Sequence, residues 1–349
     1  MITILFQYII KLILHPKYKK QFKNIFITIV VMKIEQDIKL DFSDVLIRPK
    51  RSKLNSRSEV DLVRTMTFPN SKQTWSGIPI MVANMDTVGT IDMFHTLSKN
   101  RILTCLHKFV TADEIIEAFD RYKDVEMNDL HPINYFILST GITDSNWNNL
   151  QETLSKLEEN GINLRFICID VANGYMEKLH EFCRKVRDKY PDKIIIAGNV
   201  VTREIVEELI LNCGVDVVKC GIGSGSVCTT RLQTGVGMPQ FSAVLECSDA
   251  AHGLNGHIIS DGGVKFPGDF SKAFAGGADF VMAGSMFAGY DESGGEVISC
   301  DGKQWKIFYG MSSSTCMNKY HGGVAKYRSS EGKTVKVPYK GPVQNQLNN

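Results

Sequence analysis

The stretch Gly221-Ile222-Gly223-Ser224-Gly225-Ser226-Val227-Cys228-Thr229-Thr230-Arg231 is the segment of this chain richest in chemistry. Three glycines within 221–225 permit a backbone path that side-chained residues avoid. Carbonyls turned inward on such a loop can ligate a monovalent cation, and amides turned outward can hold phosphate. Cys228 lies in a polar, glycine-rich setting, where a thiolate under positive potential acts as a nucleophile. Thr229 and Thr230 add hydroxyls able to relay protons. On spacing alone, a loop cysteine without chemistry is an equally good reading. The glycine pattern is not the dinucleotide-binding G-x-G-x-x-G.

This loop is one of seven polar or glycine clusters, each at the end of a short apolar run. The others are Ala83–Asp86, His107-Lys108, Asp170–Gly174, Gly198-Asn199, Asp261-Gly262-Gly263 and Gly284-Ser285. The runs themselves are Ile78–Val82, Ile102–Leu106, Tyr135–Ser139, Phe166–Asp170, Lys193–Gly198, Val215–Cys220, His257–Ser260 and Asp279–Met282. Runs apolar nearly throughout are the mark of strands buried on both faces, hence of a parallel sheet. Amphipathic stretches such as Tyr175–Lys189 and Arg203–Leu211 fill most gaps. Eight such units argue for an α/β fold of the closed (β/α)8 TIM-barrel type rather than an open doubly wound sheet. Barrel active sites sit at the C-terminal ends of the strands, where these clusters fall. The last two clusters follow strands 7 and 8, the usual phosphate position, so a phosphorylated substrate is expected.

The whole chain has 349 residues, with 40 Lys+Arg against 38 Asp+Glu, a net +2. Residues 1–31 hold five lysines and no acid, so the remainder is slightly acidic, with 35 basic against 38 acidic residues. Clustered basic residues of a nucleic-acid footprint are missing. The apolar runs in 1–31 are too short for a membrane span, which needs ~20 residues, and their charge order is the reverse of a signal peptide. The reading is a basic, apolar N-terminal extension (1–31), then a barrel (32–349) with a mobile active-site segment at about 309–340. Nine cysteines with no C-x-x-C point to a reducing, cytoplasmic setting rather than to disulfides or zinc.

The cysteine loop resembles that of the IMP dehydrogenase/GMP reductase family. So do Asp41–Pro49, Ala83–Val88, Asp170–Tyr175 and Asp261–Gly263, and the resemblance runs from about residue 33 to 342. The reductase branch is favoured, because about 27 residues lie between Lys108 and the strand at Tyr135, too few for the dehydrogenases' inserted regulatory domain. Thr229–Gly237, Tyr309–Ser313 and Tyr327–Thr334 are similar to the reductase type, and the dehydrogenases' Arg-Tyr pair is not found. The resemblance implies NADPH-dependent reductive deamination of GMP to IMP with release of ammonia, through a covalent Cys228 adduct at purine C2. It gives Thr230 and Glu331 the acid–base role. Ser226, Gly262, Gly263, Gly284 and Ser285 would hold the phosphate, and Asp261 the ribose. Met311, Ser312, Arg328, Ser329 and Gly332 would hold the purine. NADPH would meet Ser56, Arg57, Lys108, Asp170, Val171, Ala172, Ile222, Gly223 and Tyr327. Gly223, Gly225 and Cys228, with Arg231 nearby, would form a K⁺ loop, and a homotetramer is expected.

Two departures stand out. Ser285 replaces a more usual glycine, though its hydroxyl can also hold phosphate. After Val337–Gly341 only Pro342–Asn349 follow, so the last barrel helix is expected to be truncated, exposing apolar surface. A catalytically impaired paralogue, or a dehydrogenase lacking its regulatory domain, are the alternative readings.

Overall fold

The computed structural model describes residues 35–322 and 330–347. The extension expected over 1–31 therefore lies outside the described residues. The chain divides into 1–38 and 39–349, and the barrel belongs to the second unit.

A short strand β1 (Arg64–Thr67) opens the sheet. Eight parallel strands follow: β2 (Thr74–Val82), β3 (Ile102–Cys105), β4 (Phe136–Thr140), β5 (Phe166–Asp170), β6 (Ile194–Val200), β7 (Val217–Cys220), β8 (His257–Asp261) and β9 (Phe280–Ala283). They pair in sequence order, and β2 pairs with β9, which closes the barrel. Each expected strand is present. The first begins earlier than its apolar run because residues 74–77 pair antiparallel with β1; a strand paired on one side only need not be continuously apolar.

Helices α1 (Ile91–Leu97), α2 (Ala112–Asp120), α3 (Asp144–Glu159), α4 (Glu177–Lys189) and α5 (Arg203–Leu211) cover the outside of the strands. A short α6 (Thr230–Thr234) follows the cysteine loop, and α7 (Gln240–Gly253) and α8 (Pro267–Ala275) continue the layer. Side chains alternate between two apolar layers, as the period-2 pleat requires. Phe166, Cys168, Val217 and Ile259 fill the barrel interior. Ile167, Ile169, Val218 and Ile258 pack outward against the helices. The same alternation brings Asp170, Lys219 and Asp261 to the axis, two residues past Cys168, Val217 and Ile259.

At the other end of the strands, the fully buried Asp216 accepts from Arg187 Nη2 at 2.6 Å and from the amides of Asn70, Ser71 and Ile195 at 2.9–3.0 Å. That carboxylate ties α4, β6 and the turn before β2 together.

Beyond the barrel, β10 (Val297–Cys300), β11 (Lys303–Tyr309) and β12 (Thr334–Pro338) form an antiparallel sheet, with α9 (Ser314–His321) between the last two. The last helix, expected to be truncated, is short: α10 spans only Val343–Leu347. Val343 is buried, its amide donates to Glu292 Oε2 at 2.8 Å, and Leu347 packs against the interior cluster. These few residues cover part of the apolar surface that was expected to be bare. Among the described residues no helix is long and apolar enough to cross a membrane.

Candidate active site

A cavity of about 630 Å³ opens at the C-terminal ends of the strands. Its walls include Lys108, Asp170, Val171, Ala172, Ile222, Gly223, Gly225, Cys228, Thr230, Asp261, Gly262, Met311 and Ser312, so most of the residues expected to form a site meet there. Half-buried Cys228 stands between β7 and α6.

The chemistry converges on one chain of hydrogen bonds. Cys228 Sγ donates to Thr230 Oγ1 at 3.2 Å, and Thr230 Oγ1 donates to Glu331 Oε2 at 2.7 Å. Glu331 is far along the chain, and backbone pairing delivers it. Thr229 N donates to Glu331 O at 2.8 Å, Lys333 N to Val227 O at 2.9 Å, and Glu331 N to Ser312 O at 3.1 Å. The segment is thus zipped between the cysteine loop and the turn after β11. Gly332 is needed at the crossing: a Cβ there would lie 2.8 Å from Ser313 N.

The glycines of the phosphate cluster have two uses. Gly262 and Gly263 adopt φ of +82° and +81°, a region glycine enters without strain. A Cβ on Gly262 would meet Ser224 Oγ at 2.8 Å and Gly225 N at 3.1 Å, so the β8 loop packs directly on the cysteine loop. Ser224 Oγ locks the two together by donating to Asp261 O at 2.7 Å. Gly284 and Ser285 begin a tight turn after β9, and Ser226 is exposed. Arg231 braces the loop: Nε donates to Ile222 O at 3.2 Å and Nη1 lies 3.3 Å from Asp41 Oδ2.

Ser56 and Arg57 are not among the cavity walls. They lie in an exposed turn before β1, where Ser56 caps Ser58 N. Tyr327, Arg328 and Ser329 lie outside the described residues.

Sequence reasoning missed the polar floor of the cavity. Lys219, on β7, is buried to 1% exposure and places Nζ 2.5 Å from Asp170 Oδ1, 3.2 Å from Asp261 Oδ2 and 3.3 Å from Asn84 Oδ1. Asn199 Nδ2 donates to Asp261 Oδ2 and to Gly221 O, both at 2.8 Å. Burial alone would raise the Asp170 carboxyl, but the Lys219 ammonium outweighs it and holds the pKa below the usual carboxylate range. A signal was available, since a lone lysine in Val217-Val218-Lys219-Cys220 demands a buried anion. Asp86 was also passed over as a role. It accepts from Tyr309 Oη at 2.5 Å, Tyr320 Oη at 3.0 Å and Lys319 Nζ at 3.1 Å, which fastens β11 and α9 to the end of β2. Phe109 stacks on Tyr320 with ring centroids 3.7 Å apart.

Closed parallel barrel and polar cavity at the C-terminal strand ends, lined in part by the turn after β11, define a (β/α)8-barrel enzyme. The model described as the IMP dehydrogenase / GMP reductase domain matches residues 39–349, and the chain belongs to that family. It is 55% identical over 311 residues to a GMP reductase of Caenorhabditis elegans, covering 89% of this chain and 84% of the relative. GMP reductase 1 of Mus musculus is 56% identical over 317 residues, covering 90% of this chain and 88% of the relative. GMP reductase 2 of Homo sapiens is 55% identical over 314 residues, covering 90% and 87%.

Proposed function

We propose that the protein reduces GMP to IMP, with balance GMP + NADPH + H⁺ → IMP + NH₃ + NADP⁺. The relatives' names and the family support the reaction, and the hydrogen-bonded chain Cys228–Thr230–Glu331 is the observation that carries it. The chain has the polarity the first step needs. The Cys228 proton passes through Thr230 to the Glu331 carboxylate as Sγ bonds to purine C2. Glu331, now protonated, returns the proton through Thr230 to the departing amine, and the C2–N bond breaks. When bound, NADPH supplies the hydride that reduces C2, after which Cys228 leaves and IMP is released.

The remaining assignments follow the same reading. Gly262, Gly263, Gly284, Ser285 and Ser226 take the phosphate, Asp261 the ribose hydroxyls, and Met311, Ser312 and Gly332 the purine, with Arg328 and Ser329. Lys108, Asp170, Val171, Ala172, Ile222 and Gly223 receive NADPH, with Ser56, Arg57 and Tyr327; the cavity's 630 Å³ is of ligand-site size. K⁺ is assigned to the loop of Gly223, Gly225 and Cys228 with Arg231 nearby; Gly225 O already accepts from Cys228 N at 3.0 Å and Arg231 O from Gly235 N at 3.2 Å, while among the described residues no backbone amide donates to the carbonyls of Gly223 or Cys228. A cytoplasmic homotetramer, with residues 1–31 as an N-terminal extension of the sequence and about 309–340 as a mobile active-site segment, completes the proposal.

The test is the absorbance of NADPH with purified protein and GMP. Loss of absorbance with matching IMP formation is expected, and Cys228→Ala should abolish it while still binding GMP. Turnover that survives Cys228→Ala refutes the covalent mechanism, and turnover only with IMP and NAD⁺ refutes the direction.

A further inference from the structure

Lys219 has no place in the mechanism above, yet it is a buried charge with a full set of partners. An ammonium carries three N–H donors and no acceptor. Lys219 has three acceptors around it, one each from Asn84, Asp170 and Asp261. Burial pushes its pKa down, but the two carboxylates more than compensate, and it stays charged. Strands β5, β7 and β8 supply the three charges, and the pleat turns all of them to the axis.

The consequence lies in which oxygens are taken. Asp261 Oδ2 accepts from Asn199 Nδ2 at 2.8 Å and forms an ion pair with Lys219 Nζ at 3.2 Å. Asp261 O is held by Ser224 Oγ and Gln240 Nε2 at 2.7 and 3.3 Å. With one carboxylate oxygen doubly engaged, Oδ1 has no partner among the described residues, although Asp261 lines the cavity. It is an oriented, unspent acceptor. A second carboxylate, Asp170, is held by the same ammonium on the other side of the cavity floor.

We propose that Lys219 is a positioning residue that turns Asp261 Oδ1 toward the substrate's ribose hydroxyls and holds Asp170 for the dinucleotide. This rests on the assignment of Asp261 to the ribose. Without the ammonium, two carboxylates face the same gap with no cation between them, so one takes up a proton or swings away. Either response disorders the acceptor that reads the sugar.

The experiment compares kcat/KM for GMP and for 2′-deoxy-GMP, at saturating NADPH, in the wild-type protein and in Lys219→Met. A site built to bond a hydroxyl rejects the analogue lacking it, so the wild type should prefer GMP at least about ten-fold. In Lys219→Met the preference should fall to near unity, because GMP loses affinity and the deoxy compound has little to lose. A purely structural role would lower the folded fraction for both substrates equally and leave the ratio alone. Lys219→Arg keeps the charge but offers a planar fork in place of a tetrahedral ammonium. It should reduce the same ratio by a smaller factor, and it serves where the Met variant does not fold. Wild-type discrimination retained in either folded variant overturns the inference. A wild type that turns over both nucleotides equally overturns the Asp261 assignment and the inference with it.

Discussion

Gly332→Ala is the sharpest perturbation the site offers, because it adds one methyl group beside the relay and alters none of Cys228, Thr230 and Glu331. The added Cβ would stand 2.8 Å from Ser313 N and 3.2 Å from both Ser312 C and Ser313 Cα. All three are backbone atoms, so no side chain can swing aside. Ordinary van der Waals contact begins at 3.4 Å, so the Glu331–Lys333 segment must retreat by roughly 0.6 Å. Gly332 directly follows Glu331, and its neighbours are the ones bonded to Thr229 and Val227. A retreat of that size stretches the 2.7 Å bond from Thr230 to Glu331 toward about 3.3 Å, beyond the usual O–H···O range. Misplacement on this scale costs about ten- to a hundred-fold in rate, or about 1.4–2.7 kcal/mol of barrier. The assay is steady-state NADPH oxidation with GMP, beside a thermal melt. The expected result is a kcat reduced by that factor with Tm almost unchanged, since the segment lies outside the barrel core. A kcat within two-fold of wild type would refute the idea that backbone docking at Gly332 sets the relay.

Two further outcomes follow from charges remote from the cavity. Asp216→Ala strands the Arg187 guanidinium and three amides, so it should cost about 3–5 kcal/mol in urea unfolding; a loss under 1 kcal/mol would show that water or rearranged partners replace the carboxylate. Asp279 lies 3.2 Å from His257 Nδ1 and 3.0 Å from His252 Nε2. Burial lowers the His257 pKa, but Asp279 and the Thr67 carbonyl more than offset this, and the net shift is upward. Burial raises Asp279, and the two histidines pull it below the usual range. The histidine contribution is therefore complete below pH ~6.5 and lost as pH rises through its elevated pKa. The Asp279 contribution is lost only as pH falls below ~4. Asp279→Asn should thus lower Tm more at pH 6 than at pH 9, and an equal loss at both would exclude the ion pairs as its source.

Much of the barrel was legible because its strands are short, apolar on both faces and evenly spaced, a pattern few other folds tolerate. The boundaries that differ do so for local reasons. Residues 74–77 belong to β2 only because β1 pairs with them. Val343–Leu347 become helical where the segment has a buried seat and a Glu292 carboxylate to receive its first amide. Of the site, the cysteine loop and the strand-end clusters were visible as motifs. Ser56 and Arg57 rested on resemblance alone, and the chain's own fold leaves them outside the cavity.

Residue type and period by themselves determined the strand order of a closed parallel barrel and the end that carries its polar clusters, with Cys228 as one candidate there. These are local properties, since apolar periodicity and a glycine-rich turn depend on neighbours a few positions away. Tertiary structure alone decided which distant groups meet. Glu331 reaches Thr230 across 101 positions because backbone pairing across Gly332 holds it there. Lys219 finds Asp170 and Asp261 because closure of the barrel brings three strands' inward faces to one axis. A charge can be read in a sequence, but its partner is set by distance in space, and only the closed barrel sets that distance.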